Sequence, residues 1–121
     1  MKIEIVIDPL PQSRPRFTRG GRCYELPKMT AYKKIVTQAA QSAMQGFTPA
    51  EGTELTCKIK IWRKFKPTSR RFGDADNHAK SILDALNGVV FADDALVTSL
   101  NVEKFQSSTP KVEIEINQKQ E

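Results

Sequence analysis

Leu55-Thr56-Cys57-Lys58-Ile59-Lys60-Ile61-Trp62 alternates apolar and polar residues over eight positions, the period of a strand with one buried and one wet face. Around 25 residues further on, Ala79, Ile82, Leu83 and Leu86 follow helical spacing from a start near Asp76 or Asn77, and Gly88 closes the run. A strand followed by an amphipathic helix sets the architecture, and the flanks extend it. Upstream, Ile3-Glu4-Ile5-Val6-Ile7 reads as a first strand ended by Pro9 and Pro11. Thr30 can cap a helix with an apolar stripe of Tyr32, Ile35, Val36, Ala39 and Ala43, ending near Gly46; Lys33 and Lys34 lie off that stripe. Downstream, Leu96 to Phe105 and then Val112, Ile114 and Ile116 supply two more strands, and the tail 117–121 is expected to fray. The expectation is a single α+β domain over residues 1–121, with a mixed sheet of about four strands and two helices in the order β-α-β-α-β-β.

A chain of 121 residues suits one modest core. No stretch approaches the ~18 apolar residues of a membrane span, and Met1-Lys2-Ile3-Glu4 is unlike a signal peptide, so no membrane contact and a cytoplasmic location are expected. Cys23 and Cys57 are far apart without a CxxC or a histidine cluster, which fits two reduced thiols.

The net charge of +5 conceals a division. Residues 10–71 carry 14 Lys/Arg and 3 Asp/Glu, a balance of +11; residues 72–121 carry 4 Lys and 9 acids, a balance of −5. A basic segment feeding an acidic cluster pairs naturally with a polyanion and a cation. The basic groups would bind a phosphate backbone while the carboxylates hold a hard divalent metal beside it. Candidate backbone contacts are Arg14, Arg16, Arg19 and Arg22, interleaved with Phe17 and Tyr24 in one loop, and Lys64, Lys66, Arg70 and Arg71 in a second.

All five aspartates after position 8 lie between 74 and 94: Asp74, Asp76, Asp84, Asp93 and Asp94. In an extended segment Asp74 and Asp76 point the same way, and a hairpin-like return after Gly88 can bring Asp94 back toward them. Two unit charges ~4 Å apart repel by roughly 4 kcal/mol at an effective dielectric near 20, so three gathered carboxylates would need a cation. Short carboxylates with water and phosphate oxygens suit Mg²⁺, and neither sulfur nor the lone His78 argues for a softer ion. Phosphodiester hydrolysis fits, with Lys80 stabilising charge on the phosphate or leaving oxygen. Each residue also has a structural role open to it. Asp74 or Asp76 can cap the helix, Lys80 can pair at i+4, Asp84 reads as helix surface or a partner of Lys80, and His78 reads as a polar surface group or a neighbour of the ligands. Calcium-loop, Walker-type and Ser/His/Asp patterns are absent.

Asp74-x-Asp76-Asn77-x-x-Lys80, Leu83-Asp84-Ala85-Leu86-Asn87-Gly88 and Asp93-Asp94 together resemble the RusA family of Holliday junction resolvases, and Arg14-Pro15-Arg16-Phe17, Tyr24 and the Tyr32 helix are similar to that family's amino-terminal half. The resemblance implies a homodimeric, Mg²⁺-dependent endonuclease, with Mn²⁺ able to substitute, often of phage or prophage origin. Such enzymes make paired nicks in four-way junctions during DNA recombination and repair. By position it implies metal binding by Asp74, Asp76 and Asp94, catalysis by these with Lys80, and supporting places for Asp93 and Asn77. Two other readings are a nucleic-acid-binding protein without cleavage and a nuclease acting on other branched DNA.

Overall fold

The computed structural model describes residues 1–13, 16–64 and 74–120, with Arg16 described in its backbone only. The central strand of the sheet is the one quoted above, β4 (Leu55–Arg63); the others are β1 (Lys2–Ile5), β5 (Val97–Gln106) and β6 (Lys111–Gln118). Their order is β1-β6-β4-β5. β6 runs antiparallel to both neighbours, with Ile114 opposite Ile3 and Ile59, whereas β4 and β5 are parallel, Ile59 opposite Val102. Helix α2 (Ala75–Leu86) crosses over between those parallel strands, as such a pair requires.

Period-two alternation does what it predicts. Leu55, Cys57, Ile59 and Ile61 of β4 join Val112, Ile114 and Ile116 of β6 and Ile3 of β1 in one apolar layer, capped by helix residues. Burial pushes the Cys57 thiol up to about 12, and both cysteines are free. On the opposite face the lysines of β4 meet acids: Lys58 is opposite Glu115 and Lys60 opposite Glu113, while Lys2 pairs with Glu113 at 2.7 Å. That face therefore has alternating signs, and the basic excess lies in the loops.

Helix α1 (Pro27–Ala43) begins three residues before the expected Thr30. Pro27 is the reason, since its fixed φ and missing N–H suit the first helical turn. Its buried residues are Met29, Tyr32, Val36 and Ala40, a narrower stripe than expected, and Ile35 is 44% exposed. Lys33 lies at the edge of that stripe, bridging Glu25 and Asp84 between α1, the preceding loop and α2. The expected Lys80 partnership of Asp84 is replaced by this contact.

In α2 the inward residues are His78, Ala79, Ser81, Ile82, Ala85 and Leu86. His78 is 0% exposed, which corrects its reading as a polar surface group: it sits four residues before Ile82 on the same stripe. Gly88 adopts φ +78, the left-handed geometry that closes a helix, and its N–H donates to the Phe91 carbonyl at 2.8 Å. Val90 and Phe91 then drop into the core. The loop between β1 and α1 contains a small ribbon absent from the sequence reading, β2 (Arg16–Phe17) against β3 (Cys23–Tyr24), each too short to produce a period.

Candidate active site

Asp74 is the residue before α2, and Asp76 lies in its first turn. Asp74 has extended backbone angles and its carbonyl accepts from the N–H groups of Asn77 and His78, both at 3.1 Å, but its carboxylate makes no capping hydrogen bond. Asp76 is likewise exposed, and so is Lys80 one turn on. None of the ion pairs among the described residues involves any of these three side chains, although Asp76 and Lys80 have pairing spacing. The structural roles open to them in the sequence are thus left unused. Two carboxylates and an ammonium face solvent at a helix N-terminus, where the backbone dipole favours anions.

The root of the arginine-bearing loop is fixed to this helix end. The Gln12 N–H donates to the Asn77 carbonyl at 2.9 Å, and the Ser81 hydroxyl donates to the Leu10 carbonyl at 2.8 Å. Asp8 in turn meets the Arg63 guanidinium at 3.2 Å, at the far end of β4. Beyond the root stands the β2–β3 ribbon, whose tip is held by Thr18 N–H to Arg22 carbonyl at 2.8 Å. It leaves Arg19, Arg22 and Tyr24 exposed and Phe17 67% exposed. Lys64 is exposed where β4 ends. Arg14, Lys66, Arg70 and Arg71 lie outside the described residues, as does the side chain of Arg16.

The two acidic stretches do not meet within the chain. Asp94 accepts from the Asn87 side-chain amide at 3.4 Å, and Asn87 caps the far end of α2. Asn87 comes thirteen positions after Asp74, so the helix puts ~20 Å between the ends at 1.5 Å per residue. Among the described residues, no three His, Cys, Asp or Glu side chains group to hold a metal ion. The expected return of Asp94 toward Asp74 and Asp76 is overturned, and the cause is topological. Because β4 and β5 are parallel, residues following β4 and residues preceding β5 occupy opposite ends of the sheet. The turn after Gly88 brings the chain back only as far as a bridge between Asn87 and Phe91. Recognising the β4-α2-β5 crossover in the sequence would have exposed the separation.

Asp93 and Asp94 divide their labour. Asp93 accepts from the Ala95 N–H at 3.1 Å, capping the short 3-10 turn of Asp94–Leu96, whereas Asp94 is half-buried against Asn87. Asn77 contributes its backbone to the loop root. An apolar cavity of about 380 Å³ lined by Met44, Phe47, Leu55, Val90 and Ile116 has no titratable side chain and adjoins the start of β4, away from Asp74.

The fold and these groups define a small α+β protein with a basic arm rooted beside unpaired carboxylates and a lysine, the equipment of a phosphodiesterase acting on nucleic acid. Its family model is that of endodeoxyribonuclease RusA, which matches residues 7–117, and the chain belongs to this family of nucleases that act on branched DNA junctions. It is also similar to the uncharacterized protein YqaN of Bacillus subtilis (strain 168), at 27% identity over 139 residues covering 98% of this chain and 96% of that protein. No described helix is long and apolar enough to cross a membrane.

Proposed function

We propose that this protein is a Mg²⁺-dependent endonuclease that resolves four-way DNA junctions by paired, symmetric nicks, acting as a homodimer. The observation that carries the reading is the set of unengaged side chains of Asp74, Asp76 and Lys80 at the head of α2, beside the root of the arginine arm. A hard cation that keeps several waters can be held by one or two carboxylates plus substrate phosphate, so the donor chemistry of Asp74 and Asp76 fits Mg²⁺. When bound, the metal supplies a water activated for attack and neutralises charge on the phosphate.

The chain's own residues do the rest. Arg19, Arg22 and Lys64, with the other basic groups of the two loops, bind backbone phosphates and orient the junction by its shape. Lys80 offers its ammonium to the phosphate oxygens, where charge accumulates during cleavage. The tie from Gln12 to Asn77 holds the arm in register with the carboxylates. Asp94, at the other end of α2, would reach such a site from a second copy, so a homodimer would add a carboxylate that one chain does not bring there. A two-fold dimer also matches the approximate two-fold symmetry of the junction, one site per strand to be cut.

The test is cleavage of a labelled four-way junction with and without Mg²⁺, with equal-length duplex as control. Paired nicks dependent on Mg²⁺ and on the junction are expected. A shifted band that is never cut would leave a binding protein in place of a nuclease, and equal cutting of forks or flaps would move the substrate to branched DNA in general.

A further inference from the structure

We propose that Phe17 is a stacking residue for an unpaired base at the branch point of a DNA junction, and so the side chain by which the arm tells a junction from plain duplex. Phosphate contacts hold any DNA, because every duplex offers the same backbone charge. Preference for a branch needs a group that reads something duplex lacks. In duplex each base is already paired and stacked, and taking one out costs more than at a point where the stack is broken.

Residues 9–24 hold four arginines, two aromatic residues and no acid, between Asp8 and Glu25. Phe17 is 67% exposed, and the residue facing it across the ribbon is Cys23, also exposed, so most of the ring stays in water. The ribbon nevertheless holds that ring in place. Directly after Phe17, the Thr18 N–H donates to the Arg22 carbonyl at 2.8 Å, the Arg22 N–H donates to the Thr18 hydroxyl at 3.1 Å, and the Gly21 N–H donates to the Thr18 carbonyl at 2.9 Å. Gly21 takes φ +80 to close the turn, a conformation other residues resist. The base of the arm is closed as well, since the Gln12 side-chain amide donates to the Glu25 carboxylate at 3.4 Å. A ring already fixed on a hairpin loses little freedom when it meets a ligand.

Charge decides what that ligand is. Arg19 and Arg22 are exposed in the turn beyond the ring, so an apolar protein surface laid over it would bury cations without partners. A nucleic acid suits both chemistries, with a base on the ring and phosphates on the guanidinium groups. Because the family acts on branched DNA, the polyanion is DNA. Phe17 follows Gln12 by five residues, at most ~18 Å of extended chain or about five nucleotide steps, so the ring and the head of α2 act on the same stretch of a junction. The choice of a four-way junction as the branched DNA rests on the reading given under Proposed function; the stacking itself needs no cleavage.

The test is binding without Mg²⁺, so it can fail while nicking stands and succeed where nicking is absent. Four-way junctions carrying 2-aminopurine at each branch-point position in turn, a junction with the probe inside one arm, and an equal-length duplex are titrated with the parent, Phe17→Ala, Phe17→Leu and Phe17→Tyr. The parent should change the fluorescence of at least one branch-point probe by about twofold or more, as its base leaves the stack, and leave the arm probe unchanged. Phe17→Ala should weaken junction binding about tenfold, weaken duplex binding by less than about twofold, and abolish the fluorescence change at saturation. Phe17→Tyr should restore both properties and Phe17→Leu neither, because stacking needs a ring. All three variants should melt with the parent, since the side chain is at the surface. An equal loss on junction and duplex, an unchanged affinity of Phe17→Ala, restoration by Phe17→Leu, or branch-point probes that stay silent with the parent would overturn the proposal and leave the proposed function standing. A parent that binds no junction would overturn both.

Discussion

The two ends of α2 carry the same residue type in opposite circumstances. At the head, Asp74 and Asp76 neither cap nor pair, and Lys80 stands by without a carboxylate among the described residues. At the tail, Asp93 caps a turn, Asp94 meets Asn87, and Asp84 is held by Lys33 at 3.3 Å. Carboxylates recruited to hold the fold together have little left to offer a ligand, whereas those left idle at a helix N-terminus remain available to one. Asp94 is the intermediate case, because one amide contact leaves most of its acceptor capacity open.

The comparison breaks most sharply at Asp74. Asp74→Asn should reduce junction nicking by more than about a hundredfold, beyond the usual loss from a residue that merely supports a metal ligand, while junction binding stays as tight or tightens. Gel-shift and cleavage assays on the same preparation separate the two effects, and a variant that still nicks would remove Asp74 from the chemistry. The next largest effect tests whether head and tail cooperate between copies. Asp74→Asn and Asp94→Asn, each inactive alone, should regain about a quarter of normal nicking when their subunits are mixed, because half of the dimers then have one intact site. The regained products should be single nicks. If head and tail acted within one chain, mixing would recover nothing.

At the tail the expected loss is stability. Asp93→Ala removes the cap of the 3-10 turn and should cost about 1 kcal/mol, read by denaturant titration, with little change in cleavage by the folded fraction. The smallest effect concerns Glu25, whose carboxyl the Lys33 ammonium holds below the usual carboxylate range. A lowered folded value stabilises the protein above the ordinary carboxylate range and loses that contribution as pH falls through the folded value. Glu25→Gln should therefore lower the melting temperature slightly at neutral pH and make a smaller difference near the acid limit of folding. An equal difference at both pH values would remove the pair from the stability of the arm root.

Much of this arrangement is legible in the chain. Leu55 to Trp62 and Val112 to Ile116 are strands on alternation alone, and Ala79, Ile82 and Leu86 place the inner face of α2, because burial on one side leaves a period in the sequence. Interactions without a period were missed. Pro27 starts α1 through local backbone geometry, His78 is enclosed although its residue type suggested water, and the β2–β3 ribbon has too few residues to alternate. Asp74, Asp76 and Lys80 were readable as a group because they are close along one helix. The distance to Asp94 was not, since it follows from whether two strands run parallel, a relation between elements that no residue states by itself.

The two hydrogen bonds that tie Leu10 and Gln12 to Ser81 and Asn77 have a bearing on how such a molecule can diversify. Between those anchors and the Glu25–Lys33 contact stands the β2–β3 ribbon, which can change its length or chemistry while the helix that carries Asp76 keeps its mooring. Changing the surface that this scaffold presents is then a matter of grafting a new finger between fixed posts, leaving the head of α2 untouched.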